Sequence, residues 1–371
     1  MNIIADKNIP YLKGIAEQYG NVTYLDGADF SHEAIKNADT LIVRTVTRFD
    51  EAILKGTNVR LICSATIGYD HIDTAYCDAH GIVWKNAPGS NSSSVRQYIV
   101  SALITIARKN GFDLNGKTIG IVGVGNVGKK VGEACEMLGM KALLNDPPRQ
   151  AAEGDDSFVR LEQIMDEADI ITFHTPLTKE GEYKTYHLAD HAFFSALKKK
   201  PIIINSARGG IVDTAAIKKA LKENLIAGAV VDCWENEPLI DLEYMNLADI
   251  ATPHIAGYSA DGKANATRMS LASIADFYGL SKEPISQIKV PVPANPVIDL
   301  NDFSKSANPV YDVLLQTYNP MGDFSRLKAT PSDFKQLRNR YPSRREYSAY
   351  TVKNVSGSDL ELLNNWGFFI S

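Results

Sequence analysis

The chain has 371 residues, more than a single hydrophobic core usually fills, so we expect two or three domains. Its 44% hydrophobic and 22% charged residues are typical of a folded globular protein and exclude a disordered or fibrous class. A formal net charge of -5 excludes a large positive field of the kind that collects nucleic acids or anionic membranes. No segment has the pattern of a signal peptide or a membrane span, so we expect a cytoplasmic protein.

The cysteines are scattered along the chain and none has C-x-x-C spacing. They are Cys63, Cys77, Cys135 and Cys233. This spacing argues against a zinc site and against a disulfide framework. We therefore predict buried, reduced thiols.

The first part of the chain alternates short β-branched runs with helical patterns, which predicts βαβ units and a parallel sheet. The predicted strands are 3–5, 22–25, 41–44, 61–64 and 82–84. A polar run, 89–94, then supplies N-caps for a long helix through Tyr98 and Ala107. We expect a first doubly wound domain made of 1–93 and a returning segment.

A second series of the same kind follows. Its predicted strands are 118–122, 142–144, 170–173, 202–205, 229–231 and 250–252. An apolar-faced helix from about 259 to 278 could lead the chain back to the first domain. The expected division is therefore 1–93 plus 256–284 for one domain and 94–255 for a Rossmann-like second domain.

Beyond residue 284 the composition changes, and closely spaced prolines at 291, 293 and 296 predict an extended connector. Asn308-Pro309 and Thr330-Pro331 each place a cap before a proline at the first helical position. Residues 347–352 alternate like a strand, and a helix is expected around 360–366. We expect 285–371 to form a small α/β domain.

A glycine loop lies between a predicted strand and a predicted helix. Gly123, Gly125 and Gly128 form a G-x-G-x-x-G pattern there, whose glycines permit a tight turn and close approach of the backbone to a pyrophosphate. Asp146 ends the next strand, where a carboxylate can accept hydrogen bonds from a ribose 2′-hydroxyl and repel a 2′-phosphate. NAD is thus favoured over NADP, although Arg149 lies near enough to keep NADP open.

Two other interpretations of this loop compete. It could be a tight turn without a ligand. It also fits the G-x-x-x-x-G-K part of a phosphate-binding P-loop, but Lys130 stands where that motif needs a hydroxyl to bind Mg²⁺. Asp146 favours the dinucleotide.

Polar residues follow three predicted strands at their carboxyl ends, where reactive residues of parallel sheets converge. Arg208, Glu237 and His254 occupy these positions. Removal of hydride from C2 of a 2-hydroxy acid requires a base for the hydroxyl proton, a role that fits His254. Glu237 would orient and stabilise the imidazolium, and Arg208 would bind the substrate carboxylate through two hydrogen bonds.

Two further histidines, His71 and His174, are candidate site residues. Asp70-His71-Ile72-Asp73 lacks partners for a metal, so we expect no metal site and predict that Asp73 caps a helix. His174, at another strand end, could line the cofactor site or cap a helix.

These motifs together resemble the D-2-hydroxyacid dehydrogenase superfamily and, within it, the erythronate-4-phosphate dehydrogenase family of vitamin B6 biosynthesis. The superfamily segments are 86–89, 123–128, 174–178, 206–213, 232–238 and 253–254; the narrower family is indicated by 43–47, 65–71 and 253–263. The resemblance covers nearly the whole chain.

The resemblance implies the roles of individual residues. Arg208, Glu237 and His254 would be catalytic, and Arg44, Thr45, Thr66 and Tyr258 would bind substrate. The residues expected at NAD are Gly123, Gly125, Asn126, Val127, Gly128, Asp146, Thr175, Ser206, Ala207, Arg208, Asp232 and Gly257. The C-terminal domain would be a dimerisation domain, which implies a homodimer.

The expected reaction is the NAD-dependent oxidation of a small phosphorylated 2-hydroxy acid, 4-phospho-D-erythronate, to 2-oxo-3-hydroxy-4-phosphobutanoate. Arg44 and one of Arg338, Arg340, Arg344 or Arg345 would bind the phosphate, and solvated surface charge is an equal alternative for the C-terminal group. A glycerate or phosphoglycerate dehydrogenase and an NADH-sensing regulator of the same fold remain alternatives. No nucleic acid or membrane partner is expected.

Overall fold

The structure of the protein, a computed structural model, describes residues 1–371 and divides into two compact units. The first comprises Met1–Asn91 and Ser259–Val292, and the second comprises Ser92–Tyr258 and Pro293–Ser371. The α/β class with two doubly wound parallel sheets is confirmed. The division into three domains stays a prediction, and the C-terminal segment belongs here to the second unit.

The elements are as follows in chain order. The strands are β1 (Asn2–Asp6), β2 (Asn21–Leu25), β3 (Thr40–Val43), β4 (Leu61–Ser64), β5 (Val83–Lys85), β6 (Thr118–Val122), β7 (Lys141–Asn145), β8 (Ile170–Phe173), β9 (Ile202–Asn205), β10 (Gly228–Val231), β11 (Ile250–Ala251), β12 (Val297–Asp299), β13 (Thr351–Lys353) and β14 (Phe369–Ile370). The α-helices are α1 (His32–Ile35), α2 (Glu51–Leu54), α3 (Thr74–Ala79), α4 (Ser92–Asn110), α5 (Asn126–Met137), α6 (Pro147–Glu153), α7 (Leu161–Glu167), α8 (His191–Ala196), α9 (Thr214–Lys222), α10 (Leu242–Leu247), α11 (Ala260–Tyr278), α12 (Pro309–Thr317), α13 (Pro320–Ala329), α14 (Phe334–Asn339) and α15 (Ser358–Trp366). Short 3₁₀ helices occupy Ala16–Gln18, Gly27–Asp29, Gly209–Ile211, Glu283–Gln287, Leu300–Phe303, Pro331–Asp333 and Tyr347–Ala349. No helix is both long and apolar enough to cross a membrane.

The first unit is built on a parallel sheet with the order β2-β1-β3-β4-β5. Its inner strands β3 and β4 are buried on both faces, as β-branched runs without alternation predict. Helix α11 begins at Ser259, whose hydroxyl accepts a hydrogen bond from the Gly262 amide, and ends at Gly279 in the left-handed region (φ +67). Its apolar face, including Leu271 and Ile274, packs in one core with Ile3 of the sheet.

The second unit contains a parallel sheet with the order β11-β10-β9-β8-β6-β7. The chain leaves β6 for β7 on one side and later returns to β8 on the other, so the strand order reverses between β6 and β8. Parallel sheets bind ligands at such a point, beyond the carboxyl ends of the strands. The glycine loop follows β6 and therefore lies there.

The C-terminal segment adds a small parallel sheet, β12-β13-β14, and four helices. Fully buried Tyr347 and Trp366 share one core with α4 and α5. Asn308 caps α12 as predicted, by accepting a hydrogen bond from the Tyr311 amide. Thr330 precedes a short 3₁₀ helix and makes no such side-chain bond.

One predicted strand was too long. Residues 347–352 alternate in polarity, but only Thr351–Lys353 is a strand, and Tyr347–Ala349 forms a 3₁₀ turn. The turn places the Tyr347 ring against Trp366 and Phe368, with ring centroids 5.7 and 5.1 Å apart. Tertiary packing of this ring therefore outweighed the local strand pattern.

The structure also confirms the predicted strands, one helix cap and the state of the cysteines. Every strand predicted in the two doubly wound series is present, with ends shifted by a residue or two. Asp73 caps α3, and its carboxylate accepts a hydrogen bond from the Tyr76 amide. All of the cysteines are buried and free.

Candidate active site

The glycine loop is shaped by close backbone contacts. Gly123 has φ +92, and a Cβ there would lie 2.6 Å from the Thr175 amide nitrogen. A Cβ on Gly128 would lie 2.0 Å from the carbonyl oxygen of Gly123. A Cβ on Gly125, in contrast, would meet open space. The first and last glycines are thus required by the fold, and the middle one leaves the loop open where a pyrophosphate would approach.

Asp146 lies at the end of β7, beside this loop. One of its carboxylate oxygens accepts a hydrogen bond from the Val124 amide at 2.8 Å, and the other caps α6 by accepting from the Arg149 amide at 3.2 Å. Arg149 is held by Glu153 through two hydrogen bonds of 2.7 Å and also donates to the carbonyl of Val124. The Arg149 guanidinium is therefore already occupied by protein groups, which favours NAD over NADP.

Two buried hydroxyl groups near the loop lack a hydrogen-bond partner. They belong to Thr175, which follows β8, and Ser206, which follows β9. Buried polar atoms are rarely left unsatisfied, so such groups indicate a missing ligand or water. Both are among the residues expected to contact NAD, and the residues present therefore fit a dinucleotide.

His174 lies next to Thr175, with Nε2 3.1 Å from the hydroxyl of Thr172. Desolvation lowers the pKa of His174 to about 3. This imidazole is therefore neutral at physiological pH and adds no charge beside the loop. The sequence left open whether it lines the cofactor site or caps a helix, and its position after β8 favours the former.

The three residues predicted to be catalytic follow three neighbouring strands. Arg208 comes after β9, Glu237 after β10 and His254 after β11, and these strands lie side by side in the sheet. The loops after β9 and β10 touch, because a Cβ on Gly209 would lie 1.9 Å from the carbonyl oxygen of Trp234. Sheet topology thus brings together residues that are far apart in sequence.

Glu237 and His254 are in direct contact. Nδ1 of His254 lies 2.8 and 3.0 Å from the two carboxylate oxygens of Glu237. The carboxylate also accepts a hydrogen bond of 2.8 Å from the Trp234 amide. Since an ionised carboxylate can only accept, Nδ1 carries the proton and Nε2 is left as the basic nitrogen.

Burial by itself would raise the pKa of Glu237, but the hydrogen bond and charge of His254, the Trp234 amide and the charge of Arg338 lower it below its usual value. The group is therefore ionised at neutral pH. A carboxylate held in this state stabilises an imidazolium when the histidine gains a proton.

A buried aspartate holds the segment that follows His254. Asp232 is 1% exposed and accepts hydrogen bonds from the amides of Ile255 and Ala256 at 2.8 and 2.9 Å. The Thr252 hydroxyl donates to it at 2.6 Å, and the hydroxyl of Tyr98 lies 2.7 Å from that of Thr252. Burial raises the pKa of Asp232, although these hydrogen bonds oppose the shift.

Arg208 donates a hydrogen bond of 2.8 Å to the carbonyl of Ala207, next to the unpartnered Ser206. Its charge is felt at the Cys233 thiol, whose pKa is raised well above its usual value by burial and by the charges of Asp232 and Glu237. The Cys233 sulfur, a carboxylate oxygen of Glu237 and a ring nitrogen of His254 lie within 4.8 Å of one another. Arg208 follows β9, the strand next to β10, and its charge opposes the rise in the Cys233 pKa.

The residues expected at the substrate lie in both units. In the first unit Arg44 and Thr45 follow β3, and Thr66 follows the neighbouring β4. Nε and Nη2 of Arg44 donate to the buried carboxylate of Asp6 at 2.9 and 3.2 Å. The Thr66 hydroxyl donates to the carbonyl of Gly68 at 2.9 Å, and Thr45 is exposed. In the second unit the Tyr258 hydroxyl accepts a hydrogen bond of 3.1 Å from Arg338.

Three other residues are expected to contact NAD. Asn126 and Val127 begin α5, and half-buried Gly257 follows Ala256.

The C-terminal arginines differ sharply in their surroundings. Arg338 contacts Tyr258 and Glu237, whereas Arg340 on the same helix end is exposed. Arg344 is buried and donates to the backbone carbonyls of Ser94, Ile255 and Ala256. Arg345 is half-buried, and its carbonyl accepts a hydrogen bond from the side chain of Gln97. The sequence predicts phosphate ligands or solvated surface charges at these positions. It does not predict the contacts of Arg338 and Arg344 with the segment after His254, because no local pattern indicates them.

Two segments of the chain match family models, and solved structures share its fold. Residues 92–256 match the model of the D-isomer specific 2-hydroxyacid dehydrogenase NAD-binding domain, and residues 290–367 match a domain of unknown function, DUF3410. Among solved structures, an NAD⁺-bound 3-phosphoglycerate dehydrogenase from Entamoeba histolytica is 28% identical with a TM-score of 0.64, covering 78% of this chain and 98% of that one. A D-lactate dehydrogenase from Aquifex aeolicus, in complex with NAD and lactic acid, is 25% identical with a TM-score of 0.61, covering 79% and 100%.

Curated relatives match nearly end to end. An erythronate-4-phosphate dehydrogenase from Bacteroides thetaiotaomicron is 49% identical over 96% of this chain and 100% of its own length. One from Porphyromonas gingivalis is 44% identical over 99% and 100%. The cofactor is NAD, and the protein is an oxidoreductase. The chain belongs to the erythronate-4-phosphate dehydrogenase family of D-2-hydroxyacid dehydrogenases.

Proposed function

We propose that this chain oxidises 4-phospho-D-erythronate at C2 to 2-oxo-3-hydroxy-4-phosphobutanoate, with reduction of NAD, in pyridoxine biosynthesis. The observation that carries the proposal is the contact between Glu237 and His254, with Arg208 nearby, at the ends of three neighbouring strands. The names and full-length coverage of the relatives support this substrate in particular.

The residues of the site divide the work of the reaction. Bound NAD supplies the acceptor for the hydride that leaves C2. Nε2 of His254 takes the C2 hydroxyl proton, and the Glu237 carboxylate at Nδ1 stabilises the imidazolium that forms. Arg208 binds the C1 carboxylate with the planar donor geometry that a carboxylate matches. These roles lower the barrier by placing base, counter-charge and substrate before the reaction begins.

The remaining oxygen atoms and the phosphate of the substrate would be bound by residues of the first unit and by Tyr258. The hydroxyls of Thr45, Thr66 and Tyr258 would bind its oxygen atoms. Arg44 would contribute to the phosphate through Nη1, the guanidinium nitrogen that Asp6 does not engage. We also propose that the protein is cytoplasmic and that it forms a homodimer. Analytical ultracentrifugation of the purified chain would test the oligomeric state.

The assay compares 4-phosphoerythronate, erythronate and 3-phosphoglycerate with NAD and with NADP by the appearance of the reduced cofactor's absorbance. We expect the highest kcat/KM for 4-phosphoerythronate with NAD. A higher value for 3-phosphoglycerate, or the same value without the phosphate, would refute the substrate assignment.

The base is tested with His254→Asn. Because His254 has φ +56, asparagine is the appropriate replacement, since it tolerates the left-handed region and removes only the base. Turnover is expected to fall at least ~10²-fold while NAD affinity is retained. Turnover within tenfold of wild type would reject His254 as the base.

A further inference from the structure

A residue of the C-terminal segment reaches the Glu237–His254 pair. Nη2 of Arg338, on α14, donates a hydrogen bond of 3.1 Å to the Tyr258 hydroxyl, and Nη1 lies 3.9 Å from a carboxylate oxygen of Glu237. The guanidinium carbon lies 5.5 Å from the centroid of the Tyr258 ring and 6.0 Å from that of Phe334. One side chain thus links α14 to the loop after β10 and to the segment after β11.

Arg344 makes a second contact with the same segment. It donates to the carbonyls of Ile255 and Ala256, whose amides are bound by Asp232. The guanidinium of Arg344 also lies over the Tyr318 ring, with its carbon 4.3 Å from the ring centroid. The backbone just after His254 is therefore held through its amides by the sheet and through its carbonyls by the C-terminal segment.

The geometry at the pair explains why such support is needed. His254 and Asn236, which precedes Glu237, have φ of +56 and +60. Non-glycine residues are uncommon in this region of backbone conformation and persist there only when their surroundings enforce it. The side chains of Glu237 and His254 both depend on these two backbone positions for their direction.

We propose that Arg338 is a positioning residue for the reaction: it fixes the Glu237 carboxylate and the Tyr258 hydroxyl, so that the C-terminal segment completes the catalytic site. The proposal rests on the function proposed above for Glu237 and His254. A role of Arg338 as the main phosphate ligand is less consistent with the contacts, because Nη1 and Nη2 already face Glu237 and Tyr258.

The charges around Glu237 support this role. The groups that face it are the His254 ring, the Arg338 guanidinium and the Cys233 thiol, along with the Trp234 amide. The charges of Arg208 and Asp232 act on the neighbouring Cys233 thiol. Arg338 contributes a guanidinium cation to the direct neighbours of Glu237 and lowers the pKa of that carboxyl.

The test uses point variants of the whole chain, because the C-terminal segment shares its core with α4 and α5 and truncation would expose that core. Arg338→Met keeps most of the apolar stem without the charge, and Arg338→Lys restores the charge. The matched control is Lys335→Met, which removes an exposed cation from the same helix. We expect Arg338→Met to lower kcat about tenfold, with NAD affinity and melting temperature close to wild type, partial recovery in Arg338→Lys, and no change in Lys335→Met. A kcat within twofold of wild type in Arg338→Met would overturn the proposal.

A double-mutant cycle shows whether Arg338 acts through Glu237. In a Glu237→Gln background, Arg338→Met is expected to change kcat less than twofold, because the charge that it positions is absent. A tenfold loss in both backgrounds would mean that Arg338 acts elsewhere and would overturn the proposal.

A third readout does not depend on turnover. The ¹³C resonance of the Glu237 carboxyl, assigned by its loss in Glu237→Gln, is titrated in wild type and in Arg338→Met. Removal of the cation should raise the pKa of Glu237. If the Glu237 titration is the same in wild type and in Arg338→Met, the positioning role is overturned, whatever acid is the substrate. If the titration shifts but the wild type does not oxidise 4-phosphoerythronate, only the proposed substrate is refuted.

Discussion

The contact between Glu237 and His254 gives a quantitative prediction for Glu237→Gln. Glutamine has nearly the same shape, and its Oε1 can still accept hydrogen bonds from Nδ1 of His254 and from the Trp234 amide. The substitution therefore removes the charge and leaves the packing nearly intact. Its effect should appear only when the imidazole becomes an imidazolium, in the step that removes the C2 proton.

The size of the effect follows from the geometry. With Nδ1 2.8 Å from a carboxylate oxygen, the centres of the two charges are separated by about 4 Å. At an effective dielectric constant of ~20 their attraction is about 4 kcal/mol. Each ~1.4 kcal/mol lost from transition-state stabilisation is a factor of ten in rate, so kcat should fall roughly a thousandfold.

The assay measures kcat with 4-phosphoerythronate and with its C2-deuterated form, and NAD affinity is measured by fluorescence titration. We expect the large fall in kcat, an isotope effect at least as large as that of wild type, and unchanged NAD affinity. The control is Glu223→Gln, the same chemical change at an exposed position. A loss of less than tenfold in Glu237→Gln, or an equal loss in the control, would refute the charge-stabilisation argument.

Three further predictions concern the cofactor loop and its surroundings. Gly128→Ala places a Cβ 2.0 Å from a backbone oxygen and should weaken NADH binding at least tenfold in a fluorescence titration, whereas Gly132→Ala, where the nearest atom is 3.4 Å away, should not. Asp146→Asn preserves the helix cap but not the charge, so the ratio of kcat/KM for NAD to that for NADP should fall; an unchanged ratio would leave Asp146 as a cap only. His174 has a pKa of about 3 in the folded state, against 6.5 ordinarily. Below pH 6.5 the unfolded state therefore binds a proton that the folded state does not. The free energy of unfolding falls as the pH drops, by about 2 kcal/mol at pH 5. Urea unfolding at pH 7 and pH 5 should show this loss in wild type and not in His174→Asn, and equal losses in both would contradict it.

The alternation of strands and helices could be predicted from the sequence because it depends on local patterns. Short β-branched runs separated by helical segments specify βαβ units, and a glycine loop placed between β6 and α5 specifies a dinucleotide site. The candidate residues Arg208, Glu237 and His254 could also be predicted, because each lies in the loop that follows a predicted strand. These inferences need only the neighbours of each residue in sequence.

Packing decided what local pattern could not. The Tyr347 region has the polarity of a strand, yet the burial of its ring among Trp366 and Phe368 makes it a turn. Arg344 resembled a surface phosphate ligand in sequence, but it is 7% exposed and binds backbone carbonyls. Neither outcome can be read from adjacent residues, since both depend on partners far away along the chain.

Periodicity, glycine spacing and strand ends are local properties, so the fold class, the cofactor loop and the catalytic candidates are predictable from the order of residues. The hydrogen-bonding contact between Glu237 and His254, and the approach of Arg338 from the C-terminal segment, depend on how distant segments pack. Strand order and the docking of α14 set those distances. Both arise from the burial of long-range apolar surface, which no single segment of the sequence encodes.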